Sequence, residues 1–252
     1  MIDLHCHILP GIDDGPRTMA DSLALAAAAA VGATHTIVAT PHVSWEWPGN
    51  RAATIAAAVH ALNEELRREG IPVEVVAGAE VALSRAAALD ASELEALRLG
   101  GGPWLLVECP LTSPAPGTEL GLTALRNQGH RILLAHPERC PLFQREPQRL
   151  AALVDAGMLT SVTASAFTGS FGRTVQRFAF ELLRQGLVHD VASDAHDAVR
   201  RDPGLQAVLE SAGLGPYAEH LADTTPQAIL RGGAVPAGVV ASRAGLRSRL
   251  FG

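Results

Sequence analysis

At 252 residues, 48% apolar and 18% charged, the sequence has the composition of one globular domain large enough to bury a full core, not of a disordered or fibrous chain. Its formal net charge of −6 and the lack of any Arg-dense stretch argue against a nucleic-acid partner, whose phosphates recruit basic surfaces. Every basic side chain is Arg, and without a Lys the chain cannot be a P-loop protein, a Schiff-base enzyme or a hydrolase that bridges two metals through a carboxylated Lys.

The chain opens Met1-Ile2-Asp3-Leu4-His5, with no basic n-region and no apolar core of a secretory signal, so a cytoplasmic protein is expected. Ile2–Leu4 reads as a first strand and Met19–Val31 as a first helix. The Ala-rich run Leu23–Val31 is well short of the roughly 20 residues a bilayer requires, so no membrane insertion is expected. Strands at Thr36–Ala39, Val73–Ala77, Trp104–Val107, Arg131–Ala135, Leu159–Thr163 and Val188–Ala192 follow. The intervening helices are Ala52–Glu69, Thr118–Gln128, Pro147–Ala156 and Thr174–Gln185. The strands are apolar throughout, as parallel strands buried on both faces are. Gly32, Gly70, Gly129, Gly157 and Gly186 stand where a left-handed helix stop is needed. About seven βα units predict an α/β barrel, closed or nearly so, in a single domain 1–252; a doubly wound open sheet is the alternative. The tail Ala234–Gly252, with Arg243, Arg247 and Arg249, is expected to pack against the barrel.

Polar residues collect where the apolar runs stop. His5 and His7 follow the first strand, Thr40-Pro41-His42 the second, Glu80 the third and Glu108 the fourth. His136-Pro137-Glu138-Arg139 follows the fifth strand and Ser193-Asp194-Ala195-His196 the seventh. In a barrel these strand ends converge on one face, the catalytic face of such folds. His5 and His7, two apart on extended chain, point the same way, as paired metal ligands must. Glu80 and Glu108 at the ends of apolar strands would each cost several kcal/mol unless paired or metal-bound. Mixed imidazole and carboxylate donors suit Mn, Fe or Zn, and carboxylates can bridge ions, so two or three ions are expected. Asp13 and Asp14 lie in a turn that needs no function, and only one of them is expected to be a ligand. His35, His60, His130, His189 and His220 fall at strand starts or on helices, where surface or capping roles are expected. Arg139, Arg200 and Arg201 lie close to these histidines; guanidinium groups converging on a metal cluster make a phosphate ester the expected substrate. Cys6, Cys109 and Cys140 form no Cys-x-x-Cys pair, which fits a reducing compartment. A cysteine-dependent phosphatase needs an Arg six positions after its Cys; those positions here are Ile12, Ala115 and Glu146.

The run His5-Cys6-His7-Ile8-Leu9-Pro10-Gly11-Ile12-Asp13-Asp14-Gly15, with Thr40-Pro41-His42, Gly78-Ala79-Glu80, His136-Pro137-Glu138-Arg139 and Ser193-Asp194-Ala195-His196, resembles the PHP (polymerase and histidinol phosphatase) superfamily. Within it the chain is similar, from His5 to about Arg201, to the bacterial tyrosine-protein phosphatases of capsular and exopolysaccharide synthesis. That resemblance implies a distorted (β/α)7 TIM-like barrel with a three-metal site, usually manganese. It implies that His5, His7, Glu80 and Asp194 hold one ion, that Glu80 bridges to a second held by Glu108 and His136, and that Asp14, His42 and His196 hold the third. Arg139 and Arg201 would grip the phosphate while a metal-bound hydroxide attacks phosphorus. The implied substrate is the phosphotyrosine-bearing tail of a membrane-associated tyrosine autokinase. The chain departs from the family pattern at Val43, where a second His is common, and near Thr163 to Ser165, where an Asn is common. Histidinol-phosphate or other phosphoester hydrolysis, exonuclease action, and a non-catalytic metal-binding partner of a kinase are the alternatives.

Overall fold

The computed structural model, which describes residues 1–112 and 116–241, sorts the apolar strand residues into two layers. The strands are β1 Ile2–Cys6, β2 Thr36–Ala39, β3 His42–Val43, β4 Glu74–Ala77, β5 Glu80–Ala82, β6 Trp104–Glu108, β7 Arg131–Ala135, β8 Leu159–Thr163 and β9 Asp190–Ala192. Ile2, Leu4, Val38, Trp104, Leu106, Leu133 and Leu159 form an inner cluster. Their strand neighbours Ile37, Val75, Leu105, Val107, Ile132 and Leu134 share the larger outer cluster with helix residues such as Leu25, Leu62, Leu122, Leu150 and Leu182. Period-two alternation makes both layers from one strand, and each fully buried Leu or Val contributes about 1.5–3 kcal/mol.

All strand pairings are parallel. One sheet runs β1-β2-β4 and the other β3-β5-β6-β7-β8-β9. Because β3 follows β2 after Thr40-Pro41, and β5 follows β4 after Gly78-Ala79, the two sheets are one band of seven strands, two of them interrupted. A parallel bridge between Cys6 and Ala195 closes the band, with Asp194 N donating to His5 O at 2.8 Å and His7 N to Ala195 O at 2.9 Å. The α/β, distorted (β/α)7 barrel is therefore the fold, and the open sheet is set aside. The interruptions have local causes. Pro41 has no N–H to give a ladder, and a Cβ at Gly78 would stand 2.7 Å from Val38 Cγ1.

Several boundaries move. β1 runs to Cys6, so His5 lies within it; β6 takes in Glu108; β3 and β5 are additional to the expected strands. Short helices at Leu83–Ala86, Ala91–Ala96, Pro141–Arg145, Leu205–Ser211 and Thr225–Arg231 are also additional. Gly70, Gly129, Gly157 and Gly186 have the positive φ expected of stops, but Gly32 does not: its φ is −79° and Ala33 takes the left-handed position at 62°. The helix Met19–Val31 is fixed at its start by a reciprocal Thr18–Asp21 capping box, worth about 1 kcal/mol. Of the tail, Arg243, Arg247 and Arg249 lie outside the described residues.

Candidate metal centre

A register shift in β1 between Asp3 and Cys6 decides which way the first histidines face. Ile2 and Leu4 belong to the inner layer, and strict alternation would send Cys6 inward too. The irregularity instead leaves Cys6 in the outer layer, its Sγ 3.8 Å from Ala195 O, while His5 Nε2 and His7 Nε2 meet at 3.3 Å. The pairing of β3 with β5 sets His42 directly opposite Glu80.

Glu80, 1% exposed, is the hub. Its Oε1 lies 2.6 Å from His136 Nε2; its Oε2 lies 3.0 Å from His42 Nδ1 and 3.4 Å from both His5 Nε2 and His7 Nε2. Asp194 Oδ1 faces the same two histidines, 3.6 Å from each. On one flank Asp14 Oδ1 stands 3.3 Å from His196 and 3.5 Å from His42; on the other Glu108 is 3.8 Å from His136. Among the described residues three groups have donor atoms close enough to share an ion: His7 with Asp14, His42 and His196; His5 with His7 and Glu80; and His42 with Glu80 and Glu108. All nine expected ligand residues thus lie in one cluster, and the cluster could bind metal. Arg139 and Arg201 both donate to Asp194 Oδ2, at 2.8 and 2.6 Å. Arg200 instead turns outward beside Asp197.

Several positioning residues carry no signal strong enough to read in advance. Asp13 Oδ2 lies 2.7 Å from His7 Nδ1 and accepts from His42 N, which commits Nδ1 and leaves His7 Nε2 facing Glu80 and Asp194. The Asp-Asp doublet was the visible clue, and its members divide the work between orienting and facing the cluster. His196 Nδ1 lies 3.0 Å from Asp194 O, so that nitrogen is the donor and Nε2 presents a lone pair towards Asp14. Asn50 Nδ2 donates to His42 O and Ile12 O, tying the two loops together. His136 and Asp194 hold positive φ of 31° and 52°, a conformation non-glycine residues keep only where surrounding structure enforces it. Glu138, an acid that sequence leaves without a task, is fully buried and accepts from Thr163 N. His130 and His189 are buried, not superficial, and stand at the opposite ends of β7 and β9 from the cluster.

Burial alone would raise every carboxyl here, so the departures show what the neighbours do. Asp194 is held at about 2 despite burial, by His5 and Arg201 foremost. Glu80 is held well below its usual range by His5 and His136. Glu108 is pushed up to about 8 by burial and by Glu80. His7, which burial would lower, is pushed up to about 10 by its bonds to Asp13 and Glu80. The thiols of Cys6, Cys109 and Cys140 are pushed up by burial, so none is a ready thiolate. Above the cluster lies a cavity of about 580 Å³, lined on its floor by Glu80, His136, Asp194 and the two arginines and at its mouth by Trp45 and Trp47.

Fold and site together place the chain among the βα-barrel proteins whose strand-end histidines and carboxylates are arranged to hold metal ions. Residues 1–231 match the family described as capsular polysaccharide synthesis, CpsB/CapC, and the chain belongs to that family. It is 34% identical to the tyrosine-protein phosphatase YwqE of Bacillus subtilis, over 83% of this chain and 82% of that protein. It is 28% identical to the tyrosine-protein phosphatase CpsB of Streptococcus pneumoniae, over 83% of this chain and 88% of that protein. A solved structure from the set described as YwqE and CpsB, unique metal-dependent tyrosine phosphatases, superimposes with a TM-score of 0.82 at 30% identity, covering 96% of this chain and all of that one. A dihydropyrimidinase from Brevibacillus agri, 15% identical with a TM-score of 0.54 over 96% of this chain and 72% of its own, shares the fold alone.

Proposed function

We propose that this chain, taken as one domain 1–252, is a metal-dependent protein-tyrosine phosphatase that works on the phosphotyrosine-bearing tail of a bacterial tyrosine autokinase of capsule or exopolysaccharide synthesis. In this reading His5, His7, Glu80 and Asp194 hold one ion. Glu80 would share a second with Glu108 and His136, and Asp14, His42 and His196 would hold the third. The observation that carries the proposal is the convergence of all nine donors in one cluster, seven of them lining a single cavity together with both arginines.

The donor set fits such ions on its own chemistry. Glu80 Oε2 has three imidazole nitrogens around it but no hydrogen bond of proper geometry, a buried oxygen with a lone pair to spare. Imidazole and carboxylate together suit manganese, with iron or zinc as rivals. When bound, ions of this kind bring the pKa of coordinated water towards neutrality and polarise phosphoryl oxygens. The protein's own groups do the rest. Asp13 fixes the ring of His7, Asp194 O fixes that of His196, and Arg139 and Arg201 offer guanidinium donors to the phosphate's peripheral oxygens. The proton on His7 is one that cation binding would displace.

Departure of the leaving group favours an aryl ester. Tyrosinate leaves with a conjugate-acid pKa near 10, whereas an alkoxide needs protonation as the bond breaks. Of the acids given no metal, Glu138 is anchored to Thr163 N, Asp197 accepts from Val199 N and Arg200 N away from the cavity lining, and Glu46, exposed between Trp45 and Trp47, is the one in the lining. Among the described residues no helix is long and apolar enough to cross a membrane, which agrees with a cytoplasmic enzyme meeting the tail of its kinase.

The test compares kcat/KM for phosphotyrosyl peptide, phosphoseryl peptide and histidinol phosphate in the presence of Mn, before and after chelation. Phosphotyrosine should be preferred by at least about tenfold, and activity should vanish with the metal and return with Mn. Equal values, or a preference for histidinol phosphate, would overturn the tyrosine assignment; full turnover by metal-free protein would overturn the metal.

A further inference from the structure

Aromatic residues are scarce in this chain, which has six Phe, three Trp and one Tyr, yet two of the Trp line the cavity. Both belong to the loop that follows His42–Val43, and that loop is pinned. Asn50, itself buried, donates through Nδ2 to His42 O at 2.8 Å and to Ile12 O at 3.0 Å, while its N–H donates to Trp47 O at 3.1 Å. Trp45 is 59% exposed, an unusual state for so large an apolar ring, yet it is held twice. Its Nε1 donates to Ser84 O at 3.3 Å, and the Arg85 guanidinium covers one ring face with its carbon 4.5 Å from the centroid. Leu111 faces the same cavity from the loop after β6. The cavity therefore has a charged floor and a lip of two indoles with Glu46 between them.

We infer that Trp45 and Trp47 form a pre-set aromatic lip that takes the phenyl ring of the substrate while its phosphate rests on the floor, making them specificity-determining residues for aryl over alkyl phosphates. This rests on the phosphatase reading above and adds a selection by binding to one by leaving-group chemistry. A free rotor would lose entropy on capturing a ring; Trp45, fixed by Ser84 and Arg85, has already lost it. Ring-on-ring contact is sequence-tolerant and offset or edge-on in geometry, so it suits a phosphotyrosine within many peptide contexts. An alkyl phosphate such as phosphoserine has no group to reach the lip.

The experiment uses the full chain with Mn and the variants Trp45→Ala, Trp47→Ala and the double change, with Trp45→Phe as the conservative control. The ratio of kcat/KM for phosphotyrosyl over phosphoseryl peptide should fall about tenfold in the double variant, through KM and not kcat, and Trp45→Phe should restore most of it. A second readout needs no turnover: inhibition or calorimetric binding of phenylphosphonate against methylphosphonate, whose difference should collapse in the double variant. An unchanged aryl-to-alkyl ratio in both readouts overturns the lip. So does an equal loss for both classes, which would mark the loop as a mere support. A parent protein that binds phenylphosphonate more tightly than methylphosphonate but leaves phosphotyrosine unhydrolysed would sink the phosphatase reading and leave the lip standing. Thermal unfolding of each variant separates loss of fold, and Trp47→Ala, which leaves the Trp45 to Arg85 stack in place, keeps the test open if Trp45→Ala unfolds.

Discussion

Two sets of carboxylates are buried in this barrel, and their acidities are shifted in opposite directions. At the strand C-terminal ends Glu80 and Asp194 are held ionised, because imidazoles and guanidinium groups outweigh the penalty of burial. Towards the other end of the same strands, Asp3 and Asp190 are pushed up by burial. Their partners are neutral. Ser161 donates its hydroxyl to Asp190, and Ser193 donates both its hydroxyl and its N–H to Asp3, which also takes His5 N. Equal burial thus goes with opposite shifts, and the neighbours decide which. Asp3 and Asp190 brace β1, β8 and β9 beneath the site, whereas Glu80 and Asp194 face it.

The sharpest test of that contrast exchanges charge for shape. Glu80→Gln should lower kcat by at least about a hundredfold and reduce bound Mn measured by elemental analysis, if Glu80 bridges ions as proposed. Asp190→Asn, isosteric and at a carboxyl that burial already pushes towards its neutral form, should leave kcat within a few-fold. Equal losses at both positions would erase the distinction. Arg139→Ala and Arg201→Ala come next, with kcat/KM falling about ten- to hundredfold for every phosphoester and inorganic phosphate inhibiting less tightly, as expected when a charge-assisted bond is removed. Unaltered phosphate inhibition in both variants would remove the arginines from substrate binding.

A smaller effect concerns stability against pH. The folded pKa of Asp190 lies well above its usual 3.8, so its favourable contribution is complete below that value and is lost as pH rises towards the folded pKa. Asp190→Asn should therefore gain thermal stability relative to the parent at about pH 8 and lose that advantage near about pH 4, the pair of Tm values being the readout. A difference independent of pH would show that Asp190 is ionised after all. The smallest effect is expected from the triple change of Cys6, Cys109 and Cys140 to Ser, which should keep the rate within about twofold because burial leaves all three as thiols. Loss of turnover from any one of these changes in folded, metal-loaded protein would overturn the hydroxide mechanism.

The strand ends were readable because most of the apolar runs break at a polar residue, Asp3 and Asp190 inside the first and last strands being the exceptions. His5, His7, His42, Glu80, Glu108, His136, Asp194 and His196 stood out for that reason, and the cluster gathers them. Asp13 did not stand out, since an Asp-Asp turn needs no function and its bond to His7 depends on a fold-back of six residues. Glu138 read as a spare acid near the site; its neighbour in space, Thr163, lies on another strand. Arg200 and Arg201 were equivalent in sequence, and only the loop geometry turns one to Asp194 and the other to Asp197.

What the sequence determined by itself was the inventory and its periodicity: seven apolar runs, the polar residues that end them, the lack of Lys, and cysteines without a phosphatase signature. These are local properties, set by side-chain chemistry and by the two-residue repeat of a strand. What only the tertiary structure decided was orientation and protonation. The irregularity in β1 turns His5 and His7 inward and Cys6 outward, and the register of β3 on β5 sets His42 against Glu80. Residues from six strands surround one carboxylate or another and fix which acids are charged. Each of these depends on distances between segments far apart in the chain, and a Coulomb interaction or a hydrogen bond responds to distance in space and not to separation in sequence.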